Sequence, residues 1–367
     1  MSTKRILHVT YDMNIGGTEQ VIRNLVEGLD QERFCSSILC IDGAVGPWGK
    51  ELEAKGFRHF CLTRKPGFDF ALILRIRKLI KDEAIDIVHC HQYTPYIYGL
   101  FGSALTAARV VFTEHGRFYP DVSSPKRMAL NPLLQLGTHA ITAISAATGK
   151  ALEEFENFSA SRISIIYNGI ADNPQPRSDE LKSTLGIPSN NIVLGTVSRL
   201  DPIKNQTMML KSFKKCLTNT SNLTLLIVGD GPQKDELKAL TETLGLSDSV
   251  IYTGFQPNPQ AYLAIMDIFL LPSLSEGTSM TLLEAMSFSK PSIATAVGGT
   301  PEILSHAETG LLTENEDEAG LVDAINQLTN SSALREQYGA TARKTYRERF
   351  SIGAMANQYQ KLYDSFF

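Results

Sequence analysis

The stretch Ser275-Glu276-Gly277-Thr278-Ser279-Met280-Thr281-Leu282-Leu283-Glu284-Ala285-Met286 decides the fold and the chemistry that we predict for this chain. Its first glutamate lies in a loop of small residues that follows the apolar run Ile268-Phe269-Leu270-Leu271, and its second lies on a predicted helix. A strand, a small-residue loop and a helix N-terminus together bind anions, because free backbone N–H groups and the helix dipole point at one place. A carboxylate on each side can accept hydrogen bonds from hydroxyl groups. The stretch therefore predicts a site for a phosphate flanked by polyols, which is the chemical outline of a nucleotide-sugar.

Short apolar strands alternate with helical segments along the whole chain. The pattern includes Arg5–Thr10 and Ile85–His89 in the first half, and Ile192–Val197 and Leu223–Val228 in the second. Such alternation is typical of βαβ units and a mostly parallel sheet. The polar, proline-bearing segment Asn168–Pro176 interrupts the pattern and is the predicted linker. We predict an α/β fold with two doubly wound, Rossmann-like domains that face a central cleft.

The predicted domains divide the chain near its middle. Residues 1–170 form the first and residues 173–349 form the second. The tail, from about Ser331 onward, is predicted to be helical, and Met355, Tyr359 and Tyr363 have helical spacing within it. We therefore predict a C-terminal helix over about 350–367 that crosses back to the first domain.

Composition narrows the class of protein. The chain has 367 residues, with 35 Lys+Arg against 39 Asp+Glu and a net charge of −4, which argues against nucleic acid as a partner. Its five cysteines form no CxxC pair and are expected to be buried small hydrophobes in a reducing compartment. No signal peptide pattern and no membrane-spanning apolar run is visible. A cytoplasmic protein is expected.

Two basic amphipathic stretches leave the question of a membrane open. One contains Lys126 and Arg127, and the other contains Arg75, Lys78 and Lys81. A solvated helix face and a peripheral contact with anionic lipid both explain such a pattern. A contact with the inner membrane therefore stays an alternative to a purely cytoplasmic location.

Two cations follow the first strand of the second half. Arg199 comes directly after the strand Ile192–Val197, and Lys204 comes five residues later, before a predicted helix. Ligands of doubly wound sheets bind beyond the carboxyl ends of the strands. The rigid fork of arginine and the mobile charge of lysine together suit a diphosphate. Two solvated cations beside a proline turn are the alternative, but the equivalent position of the Glu276 loop favours the phosphate site.

The two glutamates have an alternative explanation of their own. Glu284 lies on a helix that must bury most of its surface, so its carboxylate needs partners. Gly277 lets the backbone next to Glu276 approach a ligand closely. A pair of carboxylates also occurs in glycosidases, and spacing along the sequence does not exclude that chemistry.

Several turns and histidines could border a site. Gly16 and Gly17 follow the first strand, but the full G-x-G-x-x-G fingerprint is absent, so a plain tight turn explains them equally well. His115 follows the strand Arg109–Thr113 and is either structural or catalytic.

A second set of strand ends is open to the same two interpretations. Gly229 and the pair Gly254-Phe255 also follow strands, and they form either simple turns or the border of a nucleotide pocket. His89 and His91 flank Cys90, but no third metal ligand is evident, so we predict strand-end packing there and no metal site.

Together, these motifs resemble glycosyltransferase family 4, the retaining nucleotide-sugar transferases with the GT-B fold. The resemblance covers essentially the whole chain, and the Glu-x7-Glu element with its upstream Arg/Lys pair is its specific part. One departure is the loop Thr278-Ser279-Met280-Thr281, where many relatives have proline or a bulky apolar residue after Glu-Gly. The shape of the sugar pocket therefore stays open.

The resemblance implies roles for individual residues. Arg199 and Lys204 would neutralise the donor diphosphate, Glu276 would hold sugar hydroxyls, Glu284 would accept from the ribose, and His115 would lie near the reacting sugar. The set expected to act in catalysis is Arg199, Lys204, Glu276 and His115. The set expected to bind the donor is Gly16, Gly17, Gly277, Thr278, Ser279, Met280, Glu284, Gly229, Gly254 and Phe255.

The implied function is the transfer of a sugar, with retention of its anomeric configuration, from a nucleoside-diphosphate sugar to a hydroxyl acceptor. UDP is the expected nucleotide, and the acceptor would be a carbohydrate or a lipid-linked glycan in bacterial polysaccharide synthesis. No metal and no cofactor are expected, because the fixed cations replace the divalent ion of other transferases. A nucleotide-sugar 2-epimerase and an inactive sugar-nucleotide-binding protein are the alternatives. Hydride transfer is disfavoured by the incomplete glycine fingerprint.

Overall fold

The computed structural model describes residues 3–116, 122–172 and 177–367. Residues 173–176 of the predicted linker lie outside the described residues. The chain divides into two compact units, Met1–Ala171 with Ser351–Phe367, and Asp172–Phe350, which we call unit 1 and unit 2. The boundaries expected from the sequence were at residues 170, 173 and about 350.

Unit 1 is built on a parallel sheet of seven strands in the order β3-β2-β1-β4-β5-β6-β7. Its strands are β1 (Lys4–Thr10), β2 (Phe34–Cys40), β3 (Arg58–Cys61), β4 (Ile87–His91), β5 (Arg109–Glu114), β6 (Ala140–Ala143) and β7 (Ile163–Ile165). The helices between them are α1 (Gly17–Gly28), α2 (Gly46–Ala54), α3 (Phe70–Asp82), α4 (Tyr93–Ser103), α5 (Pro125–Leu134) and α6 (Ala146–Glu156). Short 3-10 turns cover Gln135–Gly137 and Ala160–Arg162.

Unit 2 repeats the architecture with six parallel strands in the order β10-β9-β8-β11-β12-β13. Its strands are β8 (Ile192–Val197), β9 (Leu223–Val228), β10 (Val250–Gly254), β11 (Ile268–Leu271), β12 (Ser292–Thr295) and β13 (Gly310–Thr313). Its helices are α7 (Asp179–Thr184), α8 (Gln206–Leu217), α9 (Lys234–Thr243), α10 (Gln260–Ile265), α11 (Met280–Ser287), α12 (Thr300–Ile303), α13 (Glu318–Thr329) and α14 (Ser332–Thr345). A 3-10 turn covers Pro202–Lys204, and a π-helical turn, Tyr346–Phe350, ends the unit.

The central strands are buried along their length, as parallel strands covered by helices must be. All six residues of β9 are buried, and so are all four of β11 and of β12. Each unit has its own apolar core, formed around Leu225 and Phe213 in unit 2 and around Val88 and Phe112 in unit 1. The sequence-based prediction of two doubly wound α/β units is confirmed.

The final helix, α15 (Ile352–Asp364), belongs to unit 1, as the sequence predicted. Ser351 forms a parallel bridge with Ile170 and caps α15 by accepting a hydrogen bond from the N–H of Ala354. The buried face of α15 carries Tyr359 and Tyr363, whose hydroxyl groups reach the side chains of the sheet. A polar contact inside a dry core therefore fixes the position of this helix.

The cysteines and the helix lengths complete the comparison with the sequence. All five cysteines are free, and Cys40, Cys90 and Cys216 are buried. The expectation of burial is wrong for Cys35 and Cys61, which lie exposed on the outer strands β2 and β3. None of the helices in the described part of the chain has the length and apolar content that crossing a bilayer requires.

Replacing Tyr363 by Phe is expected to destabilise the protein by about 1–3 kcal/mol. The substitution keeps the ring but leaves Nδ1 of the buried His89, 2.7 Å from the hydroxyl, without a partner. Urea unfolding followed by circular dichroism measures the change. Tyr11→Phe is the matched control, because the half-buried Tyr11 hydroxyl has no hydrogen bond within the described residues. Equal stability of the two variants would contradict the role of this contact.

Candidate functional site

Each sheet reverses its strand order at one point, and both sets of candidate residues lie there. The reversal falls between β8 and β11 in unit 2 and between β1 and β4 in unit 1. In doubly wound sheets the crevice at the carboxyl ends of these strands is the usual ligand site, because the loops diverge there. The strand topology therefore selects one candidate site in each unit.

In unit 2 an ion pair joins the two loops at the reversal. Lys204, at the end of the Pro202–Lys204 turn after β8, lies with its Nζ 2.7 Å from Oε1 of Glu276. The hydroxyl of Ser273 donates to the same carboxylate oxygen over 2.7 Å. The side chain of Glu276 is 8% exposed and that of Lys204 is 23% exposed, so the pair is largely shielded from water. The predicted convergence of a cation and an acid at this place is found for Lys204 and Glu276.

The backbone holds these loops together as well. The N–H of Leu274 donates to the carbonyl of Ile203 over 2.7 Å, which links the loop after β11 to the turn after β8. The N–H of Gly299, after β12, donates to the carbonyl of Glu276 over 3.0 Å. Gly298 has a φ of +51°, and a Cβ at this position would lie 1.8 Å from that carbonyl oxygen. Glycine is therefore required where the third loop packs against Glu276.

Helix α11 begins at Met280, four residues after Glu276. Ser279 caps it by accepting a hydrogen bond from the N–H of Leu282, and Thr278 and Ser279 are both buried. Glu284 lies in the middle of the helix and is also buried. A cation beside the N-terminus of a helix provides two kinds of positive potential, which suits a phosphate group. Gly277 and Met280, also named from the sequence, are half-buried on this loop and at the first position of α11.

Arg199 is placed differently from Lys204. Its side chain is 72% exposed, and Asp201 is its ion-pair partner, with 3.8 Å between Nε and Oδ2. The structure therefore brings Lys204, and not Arg199, into contact with Glu276. An exposed, flexible guanidinium next to the site can still reach a bound anion, which stays a prediction.

The loops after β9 and β10 border the same end of the sheet. Gly229 has a φ of +142°, and a Cβ there would lie 1.9 Å from the carbonyl oxygen of Ser198. The N–H of Gly229 donates to the carbonyl of Gly254 over 2.9 Å. Phe255 follows Gly254 and is 59% exposed. Gly229, Gly254 and Phe255, which were named from the sequence, therefore lie together beside the loop that carries Arg199.

In unit 1 the strand reversal holds a cluster of four imidazoles. His8 on β1, His89 and His91 on β4, and His115 directly after β5 lie within ring contact of one another. His8, His89 and His91 are completely buried, whereas His115 is half-buried. No third potential metal ligand was evident from the sequence beside His89 and His91, but the structure has one. His8, which sequence reasoning missed, provides it, and these three rings offer ligand atoms within 4.8 Å of one another.

Burial keeps this cluster neutral. It lowers the pKa of His8 and of His115 to about 3, because a charged imidazole would lose its hydration. Burial also lowers the pKa of His89 and of His91 well below the usual value, and the neighbouring imidazoles add to this effect. Each ring therefore carries one proton at neutral pH.

The glycine pair of the first loop begins helix α1. Gly16 is the N-cap residue, and a Cβ there would lie 2.3 Å from a carboxylate oxygen of Glu19. A Cβ on Gly17 would meet nothing within 4 Å, so open space adjoins it. Burial raises the pKa of Glu19, which sequence reasoning did not single out. Gly17 thus leaves room beside the N-terminus of α1, as a ligand-facing turn requires.

Comparison with known proteins places the chain in a family. The model "Glycosyltransferase Family 4" matches residues 15–173, and the model "Glycosyl transferases group 1" matches residues 177–345. The N-acetyl-alpha-D-glucosaminyl L-malate synthase of Bacillus anthracis is 30% identical over 312 residues, which cover 83% of this chain and 81% of that protein. The chain belongs to glycosyltransferase family 4. The resemblance inferred from the sequence is therefore confirmed.

Two further comparisons are informative, one with a relative by sequence and one with a solved structure. The UDP-Gal:alpha-D-GlcNAc-diphosphoundecaprenol alpha-1,3-galactosyltransferase of Escherichia coli is 26% identical over 347 residues, covering 90% of this chain and 89% of that protein. The crystal structure of Anabaena HepE in complex with UDP superposes with a TM-score of 0.84 at 22% identity. The superposition covers 99% of this chain and 100% of the HepE chain. The structural likeness establishes the GT-B fold of this family 4 member.

Three site residues escaped sequence reasoning for different reasons. His8 lies on a buried strand among apolar residues, and only its register opposite His89 brings it to the cluster. Ser273 is one of several small residues in its loop, and nothing in the sequence distinguishes it. Gly298 had a signal, since Gly298-Gly299 follows a strand and precedes a helix, as Gly16-Gly17 does.

The buried imidazoles are expected to make the protein sensitive to acid. Their folded-state pKa values are depressed, so the unfolded chain binds more protons once the pH falls below about 6.5. The stability is fully present above pH 6.5 and is lost toward pH 3, by up to about 1.4 kcal/mol per pH unit for each histidine. Urea unfolding between pH 7 and pH 4.5 measures this slope.

A pair of variants separates titration from general destabilisation. His8→Gln should make the slope shallower by about one proton, because it removes one of the buried imidazoles. Val111→Ala, a buried truncation on β5, should lower the stability equally at every pH. An unchanged slope in His8→Gln would show that this ring does not titrate in the unfolding transition.

Proposed function

We propose that this protein transfers a sugar from a nucleoside-diphosphate sugar, with UDP as the nucleotide, to a hydroxyl group of a bacterial polysaccharide or lipid-linked acceptor. The transfer retains the anomeric configuration and needs no metal ion. The observation that carries the proposal is the shielded contact between Lys204 and Glu276 at the strand reversal of unit 2, next to the N-terminus of α11. Family 4 membership supports sugar transfer as the class of reaction.

The donor diphosphate would lie against Lys204 and the first turn of α11. Lysine has three N–H donors, so Lys204 can keep its bond to Glu276 and still donate to a phosphate oxygen. Because Glu276 and the Ser273 hydroxyl fix this ion pair before a ligand arrives, little reorganisation is needed when charge develops on the leaving diphosphate. Arg199, exposed on the same loop, would add a second cation, and a divalent ion is then unnecessary.

The two glutamates would hold the ends of the donor. Glu276 has one oxygen occupied by Lys204 and Ser273, and its other oxygen is available to sugar hydroxyls. Glu284 would accept from the ribose. Gly229, Gly254 and Phe255 would border the nucleotide base, since an exposed aromatic ring can stack on it. These assignments follow the order of the groups in a nucleotide-sugar.

In unit 1, His115 and the turn at Gly16 and Gly17 would serve the reacting sugar and the acceptor. His115 is half-buried, and its Nδ1 is covered and has no hydrogen-bond partner among the described residues, so a ligand oxygen that displaces the covering atoms would satisfy it. The open space beside Gly17 would admit part of the ligand. The relative from Escherichia coli acts, by its name, on a diphosphoundecaprenol-linked sugar, which supports a lipid-linked acceptor for this chain as well.

A lipid-linked acceptor would bring the enzyme to the cytoplasmic surface of a membrane. Helix α3 exposes Phe70 (74%) and Leu74 (61%), four residues apart, and Phe68 packs edge-on against Phe70. Lys78 and Lys81 follow on the exposed part of the same helix. Exposed apolar side chains next to lysines suit an anionic lipid surface. We therefore place the membrane contact on α3.

Replacing Lys204 by Ala is expected to lower turnover of the donor by at least tenfold and up to about a hundredfold. A fixed cation aimed at a developing charge contributes on the order of 3 kcal/mol. Release of UDP from UDP-sugars measures the rate. Lys215→Ala is the control, because its ion pair with Glu318 has the same 2.7 Å distance but lies on helix α8. Full activity of the Lys204 variant would refute the donor site.

Donor turnover is expected to continue in excess chelator and to give a product of the same anomeric configuration. The cations of the protein replace a metal. The configuration is retained because the bond between the anomeric carbon and the diphosphate breaks while the acceptor oxygen bonds to that carbon on the face that the diphosphate leaves. Proton NMR of a UDP-sugar incubated with the enzyme follows both points. Loss of activity with the chelator would oppose the metal-free mechanism, and an inverted anomer would oppose retention. A 2-epimer of the unreacted donor would identify the epimerase instead.

The double variant Phe70→Ser/Leu74→Ser is expected to bind vesicles of anionic phospholipid at least tenfold more weakly. Burial of these two side chains stabilises a membrane-bound state by about 1.5–3 kcal/mol each. Co-sedimentation with the vesicles measures the binding, which should also fall with added salt. Phe255→Ser, a similarly exposed aromatic position in unit 2, should bind like the wild type. No binding of the wild-type protein would reject the membrane contact.

A further inference from the structure

Three of the buried imidazoles of unit 1 form a chain. Nδ1 of His8 lies 3.1 Å from Nε2 of His91, and Nδ1 of His91 lies 2.9 Å from Nε2 of His115. Both distances are those of hydrogen bonds. His8 lies within β1, His91 ends β4 and His115 follows β5. Nδ1 of His8 faces Nε2 of His91, and Nδ1 of His91 faces Nε2 of His115, so the three rings are joined in one direction.

The number of protons limits how this chain can be hydrogen-bonded. Each ring is neutral and carries a single N–H, and each of the two contacts needs one donor. His91 has one proton and two partners, so it donates to His115 or to His8 but never to both. If it donates to His115, His8 must donate to it; if it donates to His8, His115 must donate to it. Only two fully bonded arrangements therefore exist.

The two arrangements differ at the ends of the chain. In the first, all three rings carry their proton on Nδ1, so His115 presents an N–H at its outer nitrogen and Nε2 of His8 is bare. In the second, all three carry it on Nε2, so His115 presents a lone pair and His8 an N–H. Both outer nitrogens are buried and have no partner among the described residues. What His115 can offer a ligand is thus set together with the proton position on His8.

His89 lies in the same cluster but outside this chain. Its Nδ1 is 2.7 Å from the hydroxyl of Tyr363, and its Nε2 is 2.6 Å from that of Thr113. Its ring centroid is 4.2 Å from that of His91, so the two rings pack closely. A metal ion held by His8, His89 and His91 would have to break one of these bonds. It would also leave a double positive charge with only neutral ligands in a buried place, which is costly. The contacts favour hydrogen bonding over metal binding.

We propose that His91 and His8 are positioning residues for His115, and that the three imidazoles share one tautomeric state and switch it together. A ligand oxygen that only accepts hydrogen bonds, such as one of a phosphate, selects the arrangement with the proton on Nδ1 of all three rings. A hydroxyl group can meet either arrangement. The inference rests on the proposed function for one claim only, which is that an oxygen of the sugar donor or of the acceptor substrate meets His115.

Imidazole nitrogen NMR of the complete wild-type chain tests the shared state without any assay of activity. The protein is labelled with ¹⁵N-histidine, treated with chelator and studied at pH 7.5, and the single variants His8→Gln, His91→Gln and His115→Gln assign the signals. All three rings are expected to have the same protonated nitrogen, either Nδ1 or Nε2. Different nitrogens protonated on any two of them, or an imidazolium, would overturn the proposal. Perturbation of the His8 and His91 signals by one equivalent of Zn²⁺ would overturn it in favour of a cation site.

Kinetics test the positioning role. His91→Phe removes the partner of His115 and is expected to lower kcat at least about fivefold, with little change in the KM for the donor, as the loss of one buried hydrogen bond predicts. His91→Asn, whose amide can occupy the place of Nδ1, should recover most of the rate. His89→Phe is the matched control, since it disturbs the same packing but not the chain, and it should keep kcat within about twofold. Equal losses in the two Phe variants would make His91 merely structural.

The two measurements separate this inference from the proposed function. Matching tautomers in a protein without transferase activity would reject the proposed function and leave the chain of imidazoles standing. Mismatched tautomers in an active transferase would reject the shared state alone. The NMR result needs no variant to fold, apart from those used for assignment.

Discussion

A carboxylate that is almost closed off from water and forms an ion pair with one lysine is the constraint on which unit 2 depends. Removing one partner of a buried ion pair leaves the other charge without compensation in the protein interior, which destabilises the fold by about 3–5 kcal/mol. Lys204 and Glu276 come from loops 72 positions apart in the sequence, and the backbone bond from Leu274 to Ile203 joins the same two loops. A second backbone bond, from Gly299 to Glu276, joins the loop after β12 to them. The loops after three strands therefore have one arrangement. The donor site that we propose for unit 2 would in this way be assembled before the ligand binds.

In unit 1, uncharged side chains hold the strand reversal together. Its strand reversal is filled by imidazoles, threonine hydroxyls and two tyrosines of the last helix, all joined by hydrogen bonds. A network of this kind stabilises only when every member has a partner, because each unmatched polar atom in a dry interior is costly. The two outer nitrogens of the imidazole chain are therefore the exceptions that need an explanation. A ligand bound at His115 would give its Nδ1 a hydrogen-bond partner.

The fold was predictable from the sequence because local signals and the global architecture agree. The strands Ile192–Val197, Leu223–Val228 and Ile268–Leu271 have in the structure the bounds that their apolar runs predicted. The outer strand β3 escaped, since Arg58-His59-Phe60-Cys61 is short and half-exposed. In the site, Lys204 and Glu276 were predictable because both stand at strand ends, where topology alone brings side chains together. The contact with His8 was not, because strand register decides it, and register cannot be obtained from one strand at a time. Arg199 illustrates the remaining limit, since a motif fixes where a side chain starts but not which partner it meets.

The return of α15 to unit 1 has a consequence for the order in which the chain can fold. Unit 1 contains the strands that precede unit 2 in the sequence and also helix α15, which follows unit 2. Unit 2 is continuous and can complete its core while the ribosome still holds the tail. Until α15 is synthesised, His89 and Thr113 lack the hydroxyl groups of Tyr363 and Tyr359 as hydrogen-bond partners. The sheet of unit 1 is therefore incomplete until that helix packs against it. Synthesis of α15, rather than of the residues up to 171, thus marks the point at which unit 1 can complete its core.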